Sequence, residues 1–362
     1  MLSTGNYARL LESINIRENG AIILGENISI DGYAEKPVRV ITHAHVDHLG
    51  GLEESIKYSK MIIATSITLD LIESLNYVDK YLLPYYRLKK KPLNYKECLV
   101  IDDNETLCLF QASHIPGAAQ VYVEYRELRL GYTGDFKLDG KTQVMKDLDV
   151  LVMESTYGNP NYRRPFKDGV PELFASLVEE GLYRYKRVYV YGYHGKVQEA
   201  MIILREKGIE APFILPSKIY HSTRVLEKYG IKIGNYMHEE DMLRGLNPGE
   251  KAVIFKHMNV AEYRRLDGSA LHIVLSGWEF NKPFRRIDDY TYLVALSDHA
   301  DFDDLVEYVR RGEPKLVVID ASREGDAWSL RNALIEAGYC AIVMPSANPL
   351  EQLNKCSGGM ST

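Results

Sequence analysis

The stretch THAHVDHLGG, Thr42–Gly51, sets three histidines and an aspartate within six positions: His43, His45, Asp47 and His48. The residues before it, VRVIT, are β-branched and read as a buried strand, so His43 stands at a strand end. Loops after strands combine rigid anchors with open access, which is where ligating and catalytic side chains collect. His43 and His45 are two apart and point the same way in extended backbone. Asp47 and His48 lie past a turn and face a second point nearby, and Leu49-Gly50-Gly51 lets the chain turn closely. The run is laid out to serve two adjacent metal ions. A histidine-rich turn capped by an aspartate is the plainer alternative.

Zinc needs more ligands than one loop supplies. His114, in LFQASHIPGAAQ, again follows a strand pattern and precedes Pro-Gly. Asp135, in LGYTGDF, ends another strand, and Thr133-Gly134 lets its carboxylate reach inward. Each is ordinary alone. The order HxHxDH, then a strand-terminal histidine, then a strand-terminal aspartate is specific.

The rest of the chain sets bounds. A length of 362 residues suits two domains, or one core with a large insertion. A hydrophobic share of 46% supports a sizeable core. The net charge of -6 excludes a uniformly basic nucleic-acid binder but not one that works through local patches and bound cations. The four cysteines form no CxxC pair, so neither a thiolate site nor a disulfide framework is expected, and a reducing compartment fits. The N-terminus has no apolar core of a secretory signal and no 18-residue apolar run occurs, so the expected location is cytoplasmic, with no membrane. There are 26 tyrosines, while glutamine is scarce, a usage that fits a thermophile.

Strand-like runs dominate to about residue 160: VRVITH, KMIIATS, ECLVIDD, TLCLFQAS, QVYVEY, LRLGYTGD and DVLVMES. Beyond it, helical patterns such as VPELFASLVEEGL and KVQEAMIILREKGI alternate with strands such as RVYVYGY and EKAVIFK. That rhythm predicts a mostly parallel α/β sheet. The end returns to strand YTYLVALS, helix DDLVEYVRRG, strand KLVVIDAS, helix AWSLRNALIEAG and strand CAIVMPS, and then a polar tail.

The ligand series resembles the metallo-β-lactamase superfamily. That resemblance implies an α/β fold of the αββα sandwich type. It assigns His43, His45 and His114 to one metal, Asp47 and His48 to the other, and Asp135 as the bridge. Two zinc ions are implied, with manganese as an alternative since His/Asp sites accept both. Two cations about 4 Å apart lower the pKa of a shared water and neutralise an anionic phosphate.

Two later features are similar to the β-CASP group, the nucleic-acid-processing branch. Glu154, in LVMESTYGNP, matches its motif A, and His299, in LSDHADFDDL, matches its motif B. The resemblance divides the chain into residues 1–160 and 291–346 as the metallo-β-lactamase domain, 161–290 as an inserted β-CASP domain, and 347–362 as a flexible tail. The helix start GYHGKVQEAM resembles that domain's phosphate-cradling turn, with Lys196 and Ser297 as substrate-phosphate contacts; a solvated first-turn lysine is the alternative for Lys196. Motif C departs from the pattern. Ala321 stands where RNA-acting members carry a metal-binding histidine, and Ser322 stands at the following glycine. The second site would then keep Asp47, His48 and Asp135 and hold its metal more weakly. DNA-acting members also lack this histidine.

The implied function is a metallo-nuclease in which a metal-bound hydroxide attacks the phosphodiester, with Asp47, Glu154 and His299 as the catalytic set and His299 as general acid. Single-stranded or end-bearing DNA is the favoured substrate, with exonuclease action; an RNA-processing ribonuclease is the runner-up. A catalytically weak partner subunit of a processing complex and a small-molecule hydrolase are further readings. Four basic-aromatic segments, residues 85–96, 161–167, 183–187 and 282–286, are strand-binding surfaces or solvated faces. Oligomeric state has no signature.

Overall fold

The computed structural model describes residues 4–243, 250–263 and 268–357. The chain divides into two compact units, one built from residues 1–163 and 299–362 and the other from residues 164–298.

The first unit holds two sheets. One has six strands in the order Ile14–Ile16, Ile22–Leu24, Ile28–Ile30, Val38–Val40, Met61–Ala64 and Lys90–Pro92. The other has seven, running from Ala341–Met344 through Leu316–Asp320, Val150–Met153, Leu128–Tyr132, Ala119–Tyr125 and Glu105–Gln111 to Cys98–Asp102. The sheets share one core. Ile22, Leu24, Ile28 and Ile30 from the first pack in the same cluster as Leu107, Leu109, Val121, Val123, Val150, Val152, Leu316 and Val318 from the second. The spacing of two in the second set puts these side chains on one face. Burying each is worth roughly 1.5–3 kcal/mol. The central strands Val150–Met153 and Leu316–Asp320 are buried at every position, as expected of parallel strands covered on both faces. The edge strand Cys98–Asp102 instead alternates between exposed and half-buried. This is the mixed α/β, sheet-on-sheet architecture the sequence predicts.

The second unit is a seven-stranded sheet in the order Tyr236–His238, Phe213–Leu215, Ala252–His257, Arg187–Gly192, Leu271–Leu275, Thr291–Val294 and Phe284–Arg286. All pairings are parallel except the edge strand Phe284–Arg286. Thr291–Val294 pairs with Leu271–Leu275 inside this sheet, so the unit runs to residue 298 and not to 290. A strand belongs to the sheet that satisfies its backbone, and the YTYLVALS pattern alone does not say which sheet that is.

Two further expectations are corrected. The tail is not all loose. Pro349–Gln352 and Asn354–Ser357 are helical, Leu353 is buried, and Gln352 exchanges hydrogen bonds with the backbone of Val343; residues 358–362 lie outside the described residues. The cysteines form two disulfides, Cys98–Cys108 across an antiparallel pair and Cys340–Cys356 from a strand end to the last helix. No helix among the described residues is long and apolar enough to cross a membrane.

Candidate metal centre

The Val38–Val40 strand delivers its loop to one end of the first sheet, and the loop is braced from behind. Arg39 is fully buried and donates to the carbonyls of His48 and Gly50 and to Ser55 Oγ, at 3.0 to 3.2 Å. Burial pulls its pKa down to about 10, so it stays charged at neutral pH. Gly51 adopts φ +67° where a Cβ would sit 2.4 Å from Tyr33 Cβ; here glycine is required.

The ligand-type side chains converge. His43 Nε2 and His114 Nε2 each lie 3.1 Å from His45 Nδ1. Asp135 Oδ2 is 3.6 Å from His43 Nε2, 3.8 Å from His114 Nε2 and 3.2 Å from His48 Nε2. His48 Nε2 is also 3.4 Å from Asp47 Oδ2. Two of the ligand groups that result are His43–His45–His114–Asp135 and Asp47–His48–Asp135, with the ligand atoms of each within 4.8 Å of one another and Asp135 common to both. Gly134, at φ +54°, makes this reach possible; a Cβ there would meet Thr42 Cβ at 3.1 Å.

The tautomers follow from the partners. Asp31, fully buried, accepts from Thr42 N at 2.8 Å and from Thr42 Oγ1 at 2.6 Å. The one hydroxyl proton of Thr42 is therefore committed, and His43 Nδ1, 3.0 Å from Thr42 Oγ1, must be the donor there. This turns the His43 Nε2 lone pair towards the centre. His48 Nδ1 is 2.7 Å from Asp31 Oδ2 and must likewise carry the proton, which frees Nε2.

Charge completes the fit. Burial, then His48 and His114, push the pKa of His43 well below the ordinary range and keep it in the neutral, ligating form. Burial opposes ionisation of Asp135, but His48 and His299 overcome it and hold the carboxylate ionised. Burial also opposes charge on His48, and the carboxylates of Asp135 and Asp31 outweigh it and raise its pKa. His48 Nε2 is buried and has no aligned hydrogen-bond partner despite its neighbours. An orphaned nitrogen facing two carboxylates fits a divalent cation, and so does a set of three imidazoles and a carboxylate beside it.

Glu154 and His299 join the same place. Phe136 N donates to Glu154 Oε1 at 2.8 Å, and His299 Nδ1 lies 3.0 Å from Glu154 Oε2. Ala300 N donates to Phe136 O at 2.5 Å, which ties the His299 segment to the residue after Asp135. His299 Nε2 thereby sits 4.0 Å from Asp135 Oδ2. Asp301 caps the Phe302–Gly312 helix through Asp304 N, the structural role its neighbours suggest.

Ala321 follows the Leu316–Asp320 strand and offers no ligand. Lys196 opens the Lys196–Glu206 helix, but its ammonium is buried and paired with Asp298 at 3.0 Å. The charge expected to meet a phosphate is thus matched within the second unit. Ser297 is half-buried, one residue before Asp298. Each basic-aromatic segment contains ion-paired cations, as in Arg163–Asp303 at 2.8 Å, Arg184–Glu180 at 2.8 Å, Lys90 with Asp70 and Glu73 at 3.3 Å each, and Arg286–Asp289 at 2.5 Å. Sequence reasoning missed Asp31, Arg39 and Arg323. Asp31 carries a usable signal, because ISID ends a strand in aspartate as LGYTGD does.

Residues 32–183 match the family model described as the metallo-beta-lactamase superfamily. An uncharacterised protein "in lig 3′ region" of Acidianus ambivalens is 46% identical over 140 residues, which cover 38% of this chain and 99% of that protein. A probable RNase of Methanocaldococcus jannaschii is 26% identical over 373 positions, covering 83% of this chain and 85% of the relative. A probable DNA ligase of Opitutus terrae is 27% identical over 344 positions, covering 89% of this chain but 30% of the ligase.

Proposed function

The chain belongs to the metallo-β-lactamase superfamily, with relatives consistent with the β-CASP group, and from that premise we propose that it is a metal-dependent nuclease hydrolysing phosphodiester bonds. The observation that carries this reading is His299. It rests on a buried carboxylate, Glu154, and presents Nε2 beside the shared ligand Asp135. A centre that hydrolysed an ester with a good leaving group would not need such a proton donor.

His43, His45 and His114 would hold one cation, Asp47 and His48 the other, with Asp135 shared. Bound there, zinc or manganese supplies Lewis-acid activation of water and neutralises phosphate charge. Asp31 and Thr42 keep the two tautomers in ligating form. Glu154 accepts from His299 Nδ1 and orients the ring, and as imidazolium its Nε2–H would protonate the leaving oxygen.

DNA is the favoured polymer, because Ala321 replaces the histidine of RNA-acting members. RNA is the second reading, favoured by the probable RNase whose match covers most of both chains. End-labelled single-stranded and duplex DNA and RNA of both polarities, tested with Zn²⁺ and Mn²⁺ separately and beside a thioester, decide between them. Shortening from one end of DNA is expected. Thioester turnover with no polymer cleavage would remove the nuclease reading, and a protein that binds no metal would be a partner subunit.

A further inference from the structure

In the loop that lacks the motif C histidine Ala321 is exposed, but the two residues after it turn back onto the first unit. Ser322 donates through N and Oγ to Asp320 Oδ1, at 2.8 and 2.5 Å, which curls the loop inward. Arg323 follows and enters the first unit, its side chain 13% exposed. Its Nη1 binds Asp320 Oδ2 at 2.7 Å, and its Nη2 binds the carbonyls of Gly20 at 2.9 Å and Asp31 at 3.3 Å. Gly20 keeps φ +79°, and a Cβ there would meet Nη2 at 3.1 Å, so the cradle is shaped to the guanidinium. Asp31 is the residue whose carboxylate holds His48 Nδ1. The guanidinium is therefore linked through Asp31 to His48, one residue removed from the second ligand group.

We propose that Arg323 is a fixed positive charge that weakens the Asp47–His48–Asp135 position for a divalent cation, so that the protein holds one cation tightly and exchanges the other. The reasoning is Coulombic. A monovalent cation next to a dication's ligands, in a poorly screened interior, raises the free energy of the occupied state. It also draws on the carboxylates whose field attracts the metal. Burial disfavours charge on Arg323, but the ion pair with Asp320 keeps it protonated. Ala321 alone would merely omit a ligand; Arg323 adds repulsion. Hydrolysis would then track the free concentration of the second cation. The inference rests on the metal centre proposed above.

The test is metal binding, read without activity. Full-length protein is stripped by chelation and titrated with Co²⁺ and with Zn²⁺ against a chromophoric competitor. The Co²⁺ absorption bands report coordination, and elemental analysis after dialysis reports metal per chain. Wild type should retain one metal and bind a second at least about tenfold more weakly. Arg323→Gln, which removes the charge but keeps a polar amide, and Arg323→Met should each tighten the second step about tenfold or more. Arg323→Lys should behave as wild type, which separates charge from packing. Two equally tight metals in wild type overturn the proposal, as does an unchanged second step in folded Arg323→Gln. A wild type that binds no metal refutes the centre itself, a different and earlier failure.

Discussion

The ten histidines divide equally between the two units, and their fates differ. In the first unit His43, His45, His48, His114 and His299 surround one carboxylate, Asp135. In the second, His194, His221, His238, His257 and His272 each lie against another ring. His272 binds the Tyr191 hydroxyl at 2.9 Å and stacks on Tyr189. His257 packs edge-on to Tyr193. His238 resembles half of a nucleophilic dyad, with Nε2 2.8 Å from Ser217 Oγ. Its Nδ1 accepts from Glu240 N, however, so Nε2 holds the proton and cannot take one from the serine. Among the described residues no ligand group includes any of these five. Imidazoles alone do not make a metal centre. Carboxylates that neutralise the cation, and partners that aim each lone pair, separate one set from the other.

Substitutions should widen or erase that contrast. The largest effect is expected for Asp135→Asn, which removes the carboxylate common to both groups. Bound metal should fall at both positions and hydrolysis to background, and retention of two metals per chain would break the comparison. His299→Ala comes next, with a loss of about 10²–10⁴-fold in kcat and unchanged metal content; parallel loss of metal would make His299 a ligand instead of a proton donor. Asp31→Asn leaves every direct ligand in place but loosens the His48 tautomer, so affinity at the second position should drop about 10–100-fold. A competitive chelator titration reads this, and no change would mean that Asp31 serves folding alone. The smallest effect is expected in the other unit. His272→Phe should cost about 1 kcal/mol of stability in urea denaturation, through the lost Tyr191 bond, with metal content and hydrolysis unaltered.

The contrast also explains what could be read from the chain. His43, His45, Asp47 and His48 are legible because neighbours in one short loop share one geometry. His114 and Asp135 are legible because each ends a recognisable strand, and strand ends of one sheet lie together. Glu154 and His299 needed the family resemblance, since nothing local says that residues 145 positions apart will lie 3.0 Å apart. Lys196 looked available for phosphate because its helix start was visible and its partner Asp298 was not. The YTYLVALS strand is legible but its sheet is not, because a strand pattern carries no address.

By itself the sequence determined the first-loop ligands, the strand-terminal ligands and the alternation of strands and helices that separates the two units. These depend on local spacing, which backbone geometry converts directly into direction. Tertiary structure alone decided the tautomer-setting Asp31, the braces Arg39 and Arg323, the two disulfides and the neutralisation of Lys196. Those contacts join residues far apart in the chain, where burial makes an unpaired charge costly and so selects a partner that no periodicity announces.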